Sequence, residues 1–253
     1  MTGMARALPR LFVETPLAAG GGAELAPAQA HYLKNVMRLA PGREVLLFNG
    51  RDGEWRGEIV QLDRKTARIE VRERTRAQPA AEGPWLAFAP VKKAGTQFIV
   101  EKATELGAQR LSPIFTEFTD TTRVNIDRLR DNAVEAAEQC GRLNVPVIDP
   151  ARPLSEFLKT WETARPLVHA DESGAGEPIL EVLERLAKAH GTSQYAPAFV
   201  IGPQGGFSES ELVTLDGLAF VNGVDLGPRI LRTETAVAAV LTCWQAAFGD
   251  WRD

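Results

Sequence analysis

Cysteine and histidine are scarce in this chain, and their scarcity removes whole classes of site. The two cysteines, Cys140 and Cys243, lie far apart and form no disulfide framework. The three histidines, His31, His169 and His190, stand at no metal-ligand spacing with each other or with the cysteines. No zinc site, and no metal at all, is therefore expected. Long apolar runs are missing too. None approaches the roughly 18 residues of a membrane span. The opening Met1-Thr2-Gly3-Met4-Ala5-Arg6 lacks the apolar core of a signal peptide, so a cytoplasmic protein without membrane association is expected. What remains, at 44% hydrophobic and 25% charged residues over 253, is an ordinary globular composition with room for two domains.

The net charge of −4 conceals an uneven distribution. Residues 1–76 hold 13 Lys+Arg against 9 Asp+Glu, a balance of +4, and residues 77–253 hold 16 against 24, a balance of −8. A basic module on an acidic body suits a polyanionic partner, although a solvated face with a small excess of arginine would look the same.

In chain order, Leu11 to Glu14 reads as a short strand, and a helix starts near Pro27, a residue suited to a first helical turn. Its apolar positions Ala30, Leu33, Val36, Met37 and Ala40 recur at helical spacing, and Pro41-Gly42 ends it. His31, Lys34 and Arg38 share one face of that helix. Strands follow at Glu44 to Phe48, Glu54 to Leu62 and Thr66 to Arg72, the last alternating Ala67, Ile69 and Val71 with charged residues. This describes a small β-barrel-like module with one helix. Arg10, His31, Lys34, Arg38, Arg51 and Arg56 are its candidate phosphate contacts.

The non-periodic stretch from Thr75 to Pro84 marks a boundary, giving domains 1–76 and 85–253 joined by a linker, 77–84. Beyond it, strands at Leu86 to Val91, Leu111 to Phe115 (broken by Pro113) and Leu167 to Ala170 alternate with helices at Thr96 to Leu106, Asp127 to Cys140 and Pro178 to Ala189. That alternation predicts an α/β domain with a largely parallel sheet. Two Gly-Pro turns then stand where a strand should end and a helix begin. The first, Gly202-Pro203-Gln204-Gly205-Gly206-Phe207, follows the apolar run Ala198 to Ile201 and precedes Ser208-Glu209-Ser210-Glu211, a capping box. The second, Gly227-Pro228, follows a further apolar run, Leu218 to Val221, and leads to Arg232-Thr233-Glu234-Thr235 and an alanine-rich helix, Ala236 to Phe248. Neither turn has the glycine spacing of a dinucleotide loop or the Gly-Lys-Ser/Thr of a Walker loop. They read either as tight strand-to-helix turns or as the lip of a nucleoside pocket at the carboxyl edge of the sheet.

These strings carry a specific resemblance. Ile201-Gly202-Pro203-x-Gly205-Gly206-Phe207-Ser208 and Leu226-Gly227-x-Arg229-Ile230-Leu231-Arg232-Thr233-Glu234-Thr235-Ala236 resemble the ribosomal RNA small subunit methyltransferase E family. Phe98 to Gly107, Glu138 to Arg142, and Arg10 to Val13 with His31, Arg38 and Asn49-Gly50 agree with it in the same order. The resemblance implies a SPOUT-type trefoil-knotted methyltransferase domain behind a PUA-like RNA-binding domain. It further implies S-adenosylmethionine as cofactor, N3 of a uridine in 16S rRNA of the small ribosomal subunit as substrate, and a homodimer. Carried over residue by residue, the cofactor loops hold His169, Ile201, Gly202, Pro203, Gly205, Gly206, Leu226, Gly227, Ile230, Leu231, Arg232 and Thr235. RNA contacts fall to Arg10, His31, Lys34, Arg38 and Arg142. Gln204 departs from the acidic residue usual there, so that position is given no role as base.

Uridine N3 is a poor nucleophile until its proton leaves, and the departing proton puts negative charge on the flanking carbonyl oxygens. Arg232 is the candidate stabiliser of that charge, and Glu234 either orients it or takes the proton. The alternative for both is a structural ion pair at the start of the last helix. His169 either touches the cofactor loop or is a packed core histidine. A catalytically silent rRNA-binding assembly factor of the same fold, and a nucleotide hydrolase using the glycine turn, are the competing functions.

Overall fold

The computed structural model describes residues 8–171, 174, 176–190 and 196–252; Met1 to Arg6 and the side chain of His190, both read above, lie outside them. The chain divides into two compact units. One comprises Met1–Ala80 with Ala137–Val145, the other Ala81–Ala136 with Pro146–Asp253.

The first unit is built on a five-stranded sheet of β1 (Arg10–Phe12), β2 (Gly22–Leu25), β3 (Glu44–Phe48), β4 (Glu54–Leu62) and β5 (Ala67–Arg76), with helix α1 (Pro27–His31). The strand order is β1-β3-β4-β5-β2, antiparallel except for β1 against β3. Alternate residues Ala67, Ile69 and Val71 of β5 enter a core with Leu11, Leu33, Val45, Leu47 and Ile59. Burying each such aliphatic side chain contributes about 1.5–3 kcal/mol. Strand β2 has no alternating pattern long enough to be read from sequence. The helix also departs from its expected course. After His31 it widens into a π turn over Tyr32–Val36, so Val36 ends up 60% exposed instead of facing inward. Leu39 packs on the core in its place, and its N–H returns to the Leu33 carbonyl at 2.9 Å. The residue that makes the reversal is Arg38, at φ 55°, a left-handed conformation usually left to glycine.

The second unit carries β6 (Trp85–Phe88), α2 (Lys93–Glu105), β7 (Arg110–Phe115), α3 (Ile126–Cys140), β8 (Val147–Ile148), β9 (Arg152–Pro153), α4 (Leu154–Lys159), β10 (Leu167–Ala170), β11 (Glu177–Pro178), α5 (Ile179–His190), β12 (Ala198–Ile201), α6 (Glu209–Asp216), β13 (Val221–Asp225) and α7 (Thr233–Phe248). Its sheet is parallel, in the order β11-β13-β10-β12-β6-β7-β8, with β9 beside β7. Strands covered on both faces read as unbroken apolar runs, as Ala198 to Ile201 does. Leu154, Phe157 and Leu158 of α4 and Leu215 of α6 pack on sheet residues Ala87, Leu167, Ala198 and Val200. Helix α7 packs against both α2 and α5. Pro113 does not break β7. It falls between Arg110–Leu111, paired to β8, and Ile114–Phe115, paired to β9, so its missing N–H interrupts no ladder. Helix α7 starts at Thr233, three residues before the apolar pattern begins, because Thr233 itself is buried.

Residues 137–145 join the first unit through Arg10. Its guanidinium donates to Glu54 (2.8 Å) and to the carbonyls of Ala137 (2.7 Å), Glu138 (3.0 Å) and Arg142 (3.0 Å), and it stacks on Phe48. Arg76 adds a bond to the Gly141 carbonyl at 2.8 Å. The last carbonyls of α3 have no helical partner; Arg10 supplies those of Ala137 and Glu138, and Arg76 that of Gly141 just past the helix.

Candidate functional site: two adjoining cavities at the sheet edge

Strands β13, β10 and β12 lie side by side and parallel, so their carboxyl ends open onto one edge. The loops that leave them form a cavity of about 300 Å³. Its walls are Ala170 and Asp171 after β10, Ile201 to Pro203 with Gly206 and Phe207 after β12, and Asp225 to Leu231 after β13. That volume is at the small end of the range for organic ligands. The loops owe their shape to local chemistry. Gly206 (φ 73°) closes a turn by donating to the Pro203 carbonyl, and Gly227 (φ 99°) donates to Asp225 Oδ1 at 2.8 Å. A Cβ on Gly202 would stand 3.1 Å from the Phe207 ring, a tight contact that a larger residue could make only if the ring shifted. The capping box holds: Ser208 Oγ accepts from the Glu211 N–H, and Glu211 Oε2 accepts from the Ser208 N–H at 2.9 Å.

Thr233 locks two of the loops together. Its hydroxyl, almost fully buried, donates to the Gly202 carbonyl at 3.0 Å. Thr233→Val keeps the shape but leaves that carbonyl unpaired, so it is expected to cost about 1–3 kcal/mol in urea unfolding, while Thr233→Ser costs little.

A second cavity, of about 730 Å³, adjoins the first and shares Pro203 with it. Lys92, Phe118, Gln204, Gly205, Arg232 and Glu234 are among its lining residues. Arg232 is exposed and stands at the N-cap of α7 in extended conformation. Glu234 Oε2 is buried without a hydrogen-bond partner, and no ion pair joins it to Arg232 among the described residues. The structural pairing considered for these two residues is therefore not made.

Of the residues assigned to the cofactor from sequence, Ile201, Gly202, Pro203, Gly206, Leu226, Gly227, Ile230 and Leu231 line the smaller cavity. Gly205 and Arg232 face the larger one instead, and Thr235, exposed on the first turn of α7, lines neither. His169 also lines neither. It is buried on β10, edge-on to Phe207, with Nε2 3.4 Å from Asp216 Oδ1 and no well-aligned hydrogen bond at either ring nitrogen. Burial holds its pKa below the usual value, against the upward pull of Asp171 and Asp216. The unfolded chain thus takes up this proton first as pH falls. Stability is expected to drop between about pH 6.5 and the lower folded pKa, and His169→Gln to flatten that stretch of a Tm-against-pH curve. Asp171 and Phe207 close loops that the family resemblance already marked, whereas Asp225 and Phe118 were given no role from sequence.

In the first unit His31, Lys34 and Arg38 are exposed, with His31 Nδ1 2.9 Å from the Asn35 amide. Arg10 has its donors bound inside the unit, and its side chain is 12% exposed. Arg51 reaches the Glu14 carbonyl and Arg56 pairs with Glu73. Arg142 is half-buried, and its carbonyl accepts from Arg10. Among the described residues no helix is long and apolar enough to cross a membrane, and no group of three or more His, Cys, Asp or Glu could hold a metal.

Comparison with known proteins agrees with this geometry. The RNA methyltransferase domain family matches residues 82–245, and the RNA methyltransferase PUA domain family residues 25–72. The ribosomal RNA small subunit methyltransferase E of Rickettsia conorii is 30% identical over 92% of this chain and 93% of its own length. The protein of that name from Buchnera aphidicola is 28% identical over 98% and 99%. The structure of the Neisseria gonorrhoeae ribosomal RNA small subunit methyltransferase E bound to S-adenosyl methionine shares the fold, with a TM-score of 0.83 over 97% of this chain and 100% of that one, at 24% identity. The chain belongs to the ribosomal RNA small subunit methyltransferase E family.

Proposed function

We propose that this chain transfers a methyl group from S-adenosylmethionine to N3 of a uridine in 16S rRNA of the small ribosomal subunit. The observation that carries the reading is the pair of cavities sharing Pro203. One is a glycine-turned cradle of nucleoside size, the other is lined by Lys92 and Arg232 together with Glu117, Asp120 and Glu234. The cradle suits the cofactor: Ile201, Leu226, Ile230 and Leu231 offer apolar walls, while Asp171 and Asp225 offer acceptors for hydroxyl or amino groups. When bound, S-adenosylmethionine supplies an electrophilic methyl group. Glu234 Oε2, which lacks a donor, accepts the N3 proton, and Arg232 stabilises the charge left on the uracil carbonyls. Pro203, on the shared wall, fixes how donor and acceptor meet, and alignment supplies much of the acceleration.

In this reading residues 85–253 form the catalytic domain, with the three strand-end loops as the crossings of a trefoil knot. Residues 1–76 gather RNA through His31, Lys34 and Arg38, and the protein works as a cytoplasmic homodimer. The assembly-factor alternative rested on Gln204. That side chain lines the second cavity without closing it, which gives the alternative no support. A hydrolase would need a phosphate-gripping lysine in the glycine turn, and none is there.

The test is nucleoside mapping of 16S rRNA from a strain lacking the gene, with and without the gene restored. One 3-methyluridine, lost and then regained, is the expected outcome. An unchanged methylation pattern, or a change at another atom, overturns the assignment.

A further inference from the structure

The geometry points to Phe118 as the surface on which the target pyrimidine stacks when it enters the second cavity. The inference rests on the proposed reaction and adds the residue that orders its substrate. Phe48, Phe88, Phe157 and Phe199 are fully buried, but Phe118 is 48% exposed and lines the 730 Å³ cavity. An isolated exposed apolar residue is unremarkable in itself. This one is held in place by the chain around it.

Phe118 is the third residue of a turn closed by the Thr119 N–H on the Thr116 carbonyl (3.2 Å). Within it the Thr116 N–H donates to Thr119 Oγ1 (2.9 Å), and the two threonine hydroxyls lie 2.8 Å apart. The neighbouring Glu117 N–H donates to Glu211 Oε1 at 2.9 Å, and the other oxygen of the same carboxylate caps the helix after the glycine turn. One side chain therefore fixes the Phe118 turn relative to the cofactor loop. Behind the ring, Gly205 packs so closely that a Cβ there would lie 3.1 Å from Phe118 Cβ and 3.6 Å from Cγ. A side chain at position 205, which does not face the smaller cavity, would therefore press on Phe118.

A ring fixed by turn, carboxylate and glycine, and left half open to a cavity that also holds Lys92 and Arg232, has the makings of a single-base site. Aromatic faces hold bases splayed from folded RNA, and the flanking cations suit the uracil carbonyls and adjoining phosphates. Stacking at a fixed depth brings the N3 edge to Glu234.

The experiment compares two rRNA fragments with the full-length protein. One carries the target uridine. In the other that residue is 5,6-dihydrouridine, which keeps N3–H and both carbonyls but loses the planar aromatic ring. Wild type is expected to prefer uridine by about 5- to 150-fold in kcat/KM and in equilibrium binding. Phe118→Ala is expected to lose that preference at unchanged S-adenosylmethionine affinity, and Phe118→Tyr or Phe118→Trp to restore it. A Phe118→Ala protein that still prefers uridine as wild type does overturns the stacking role while leaving the methyltransferase reading intact. Should wild type transfer no methyl to either fragment, the reaction assignment fails, and the binding ratio still decides whether Phe118 senses the ring.

Discussion

Single-turnover methyl transfer by Arg232→Ala is expected to be about 10²–10³-fold slower than by wild type, at unchanged S-adenosylmethionine affinity. That is the usual cost of removing one preorganised donor from a developing oxyanion. The split between rate and affinity follows from where Arg232 stands. It lines the larger cavity and is absent from the walls of the smaller one. It makes no ion pair with Glu234, so truncating it should leave the start of α7 standing on Thr233 and its bond to Gly202. Arg232→Lys keeps the charge but not the planar fork, and should fall between wild type and alanine. A drop in cofactor affinity that matches the drop in rate would return Arg232 to the cofactor wall, the second role that the family resemblance gave it.

That displacement shows what a sequence of this kind can and cannot reveal. Glycine at 202, 206 and 227, proline at 203 and the Ser208–Glu211 capping box act on their immediate neighbours. The turns and the start of α6 were therefore readable in the string, and the eight residues of the smaller cavity came with the family resemblance. Gly205 and Arg232 sit among those same letters, yet their facing depends on Phe118 and Lys92, contributed by other strands and loops. Nothing local distinguishes a glycine that admits a ligand from one that admits a phenylalanine. The same holds for His169. As the next-to-last residue of a strand it could face either way, and it turned to Asp216 and Phe207. In the first unit, helical spacing placed Val36 inward because the pattern assumes 3.6 residues per turn, which the π turn violates. Arg10 was not legible for a different reason: charge alone does not tell a phosphate-binding arginine from one that supplies bare helix carbonyls.

The contrast between Arg10 and Arg38 yields the second large effect. Arg10→Ala removes the nearer cationic partner of Glu54, leaving Arg76 at 3.6 Å and the Thr75 hydroxyl, and strips the carbonyls of Ala137, Glu138 and Arg142 of that donor. Losing charge-assisted hydrogen bonds in this way costs about 1.5–3 kcal/mol. Urea unfolding is expected to show that loss directly. RNA binding by the fraction still folded should keep the wild-type salt dependence, because the guanidinium is bound inside the unit. Lys34→Ala combined with Arg38→Gly should do the reverse. Arg38 holds φ 55°, which glycine adopts without a Cβ penalty, so the double variant should be no less stable than wild type. Two exposed cations are lost, Lys34 in the π turn and Arg38 just past it, and the slope of log K against log salt is expected to become shallower by about 2 on a small-subunit rRNA fragment. S-adenosylmethionine affinity should not move, since every wall of the smaller cavity belongs to the other unit. If the double variant keeps the full slope while Arg10→Ala flattens it, the roles of these arginines are interchanged and the exposed helix is not where this protein holds RNA.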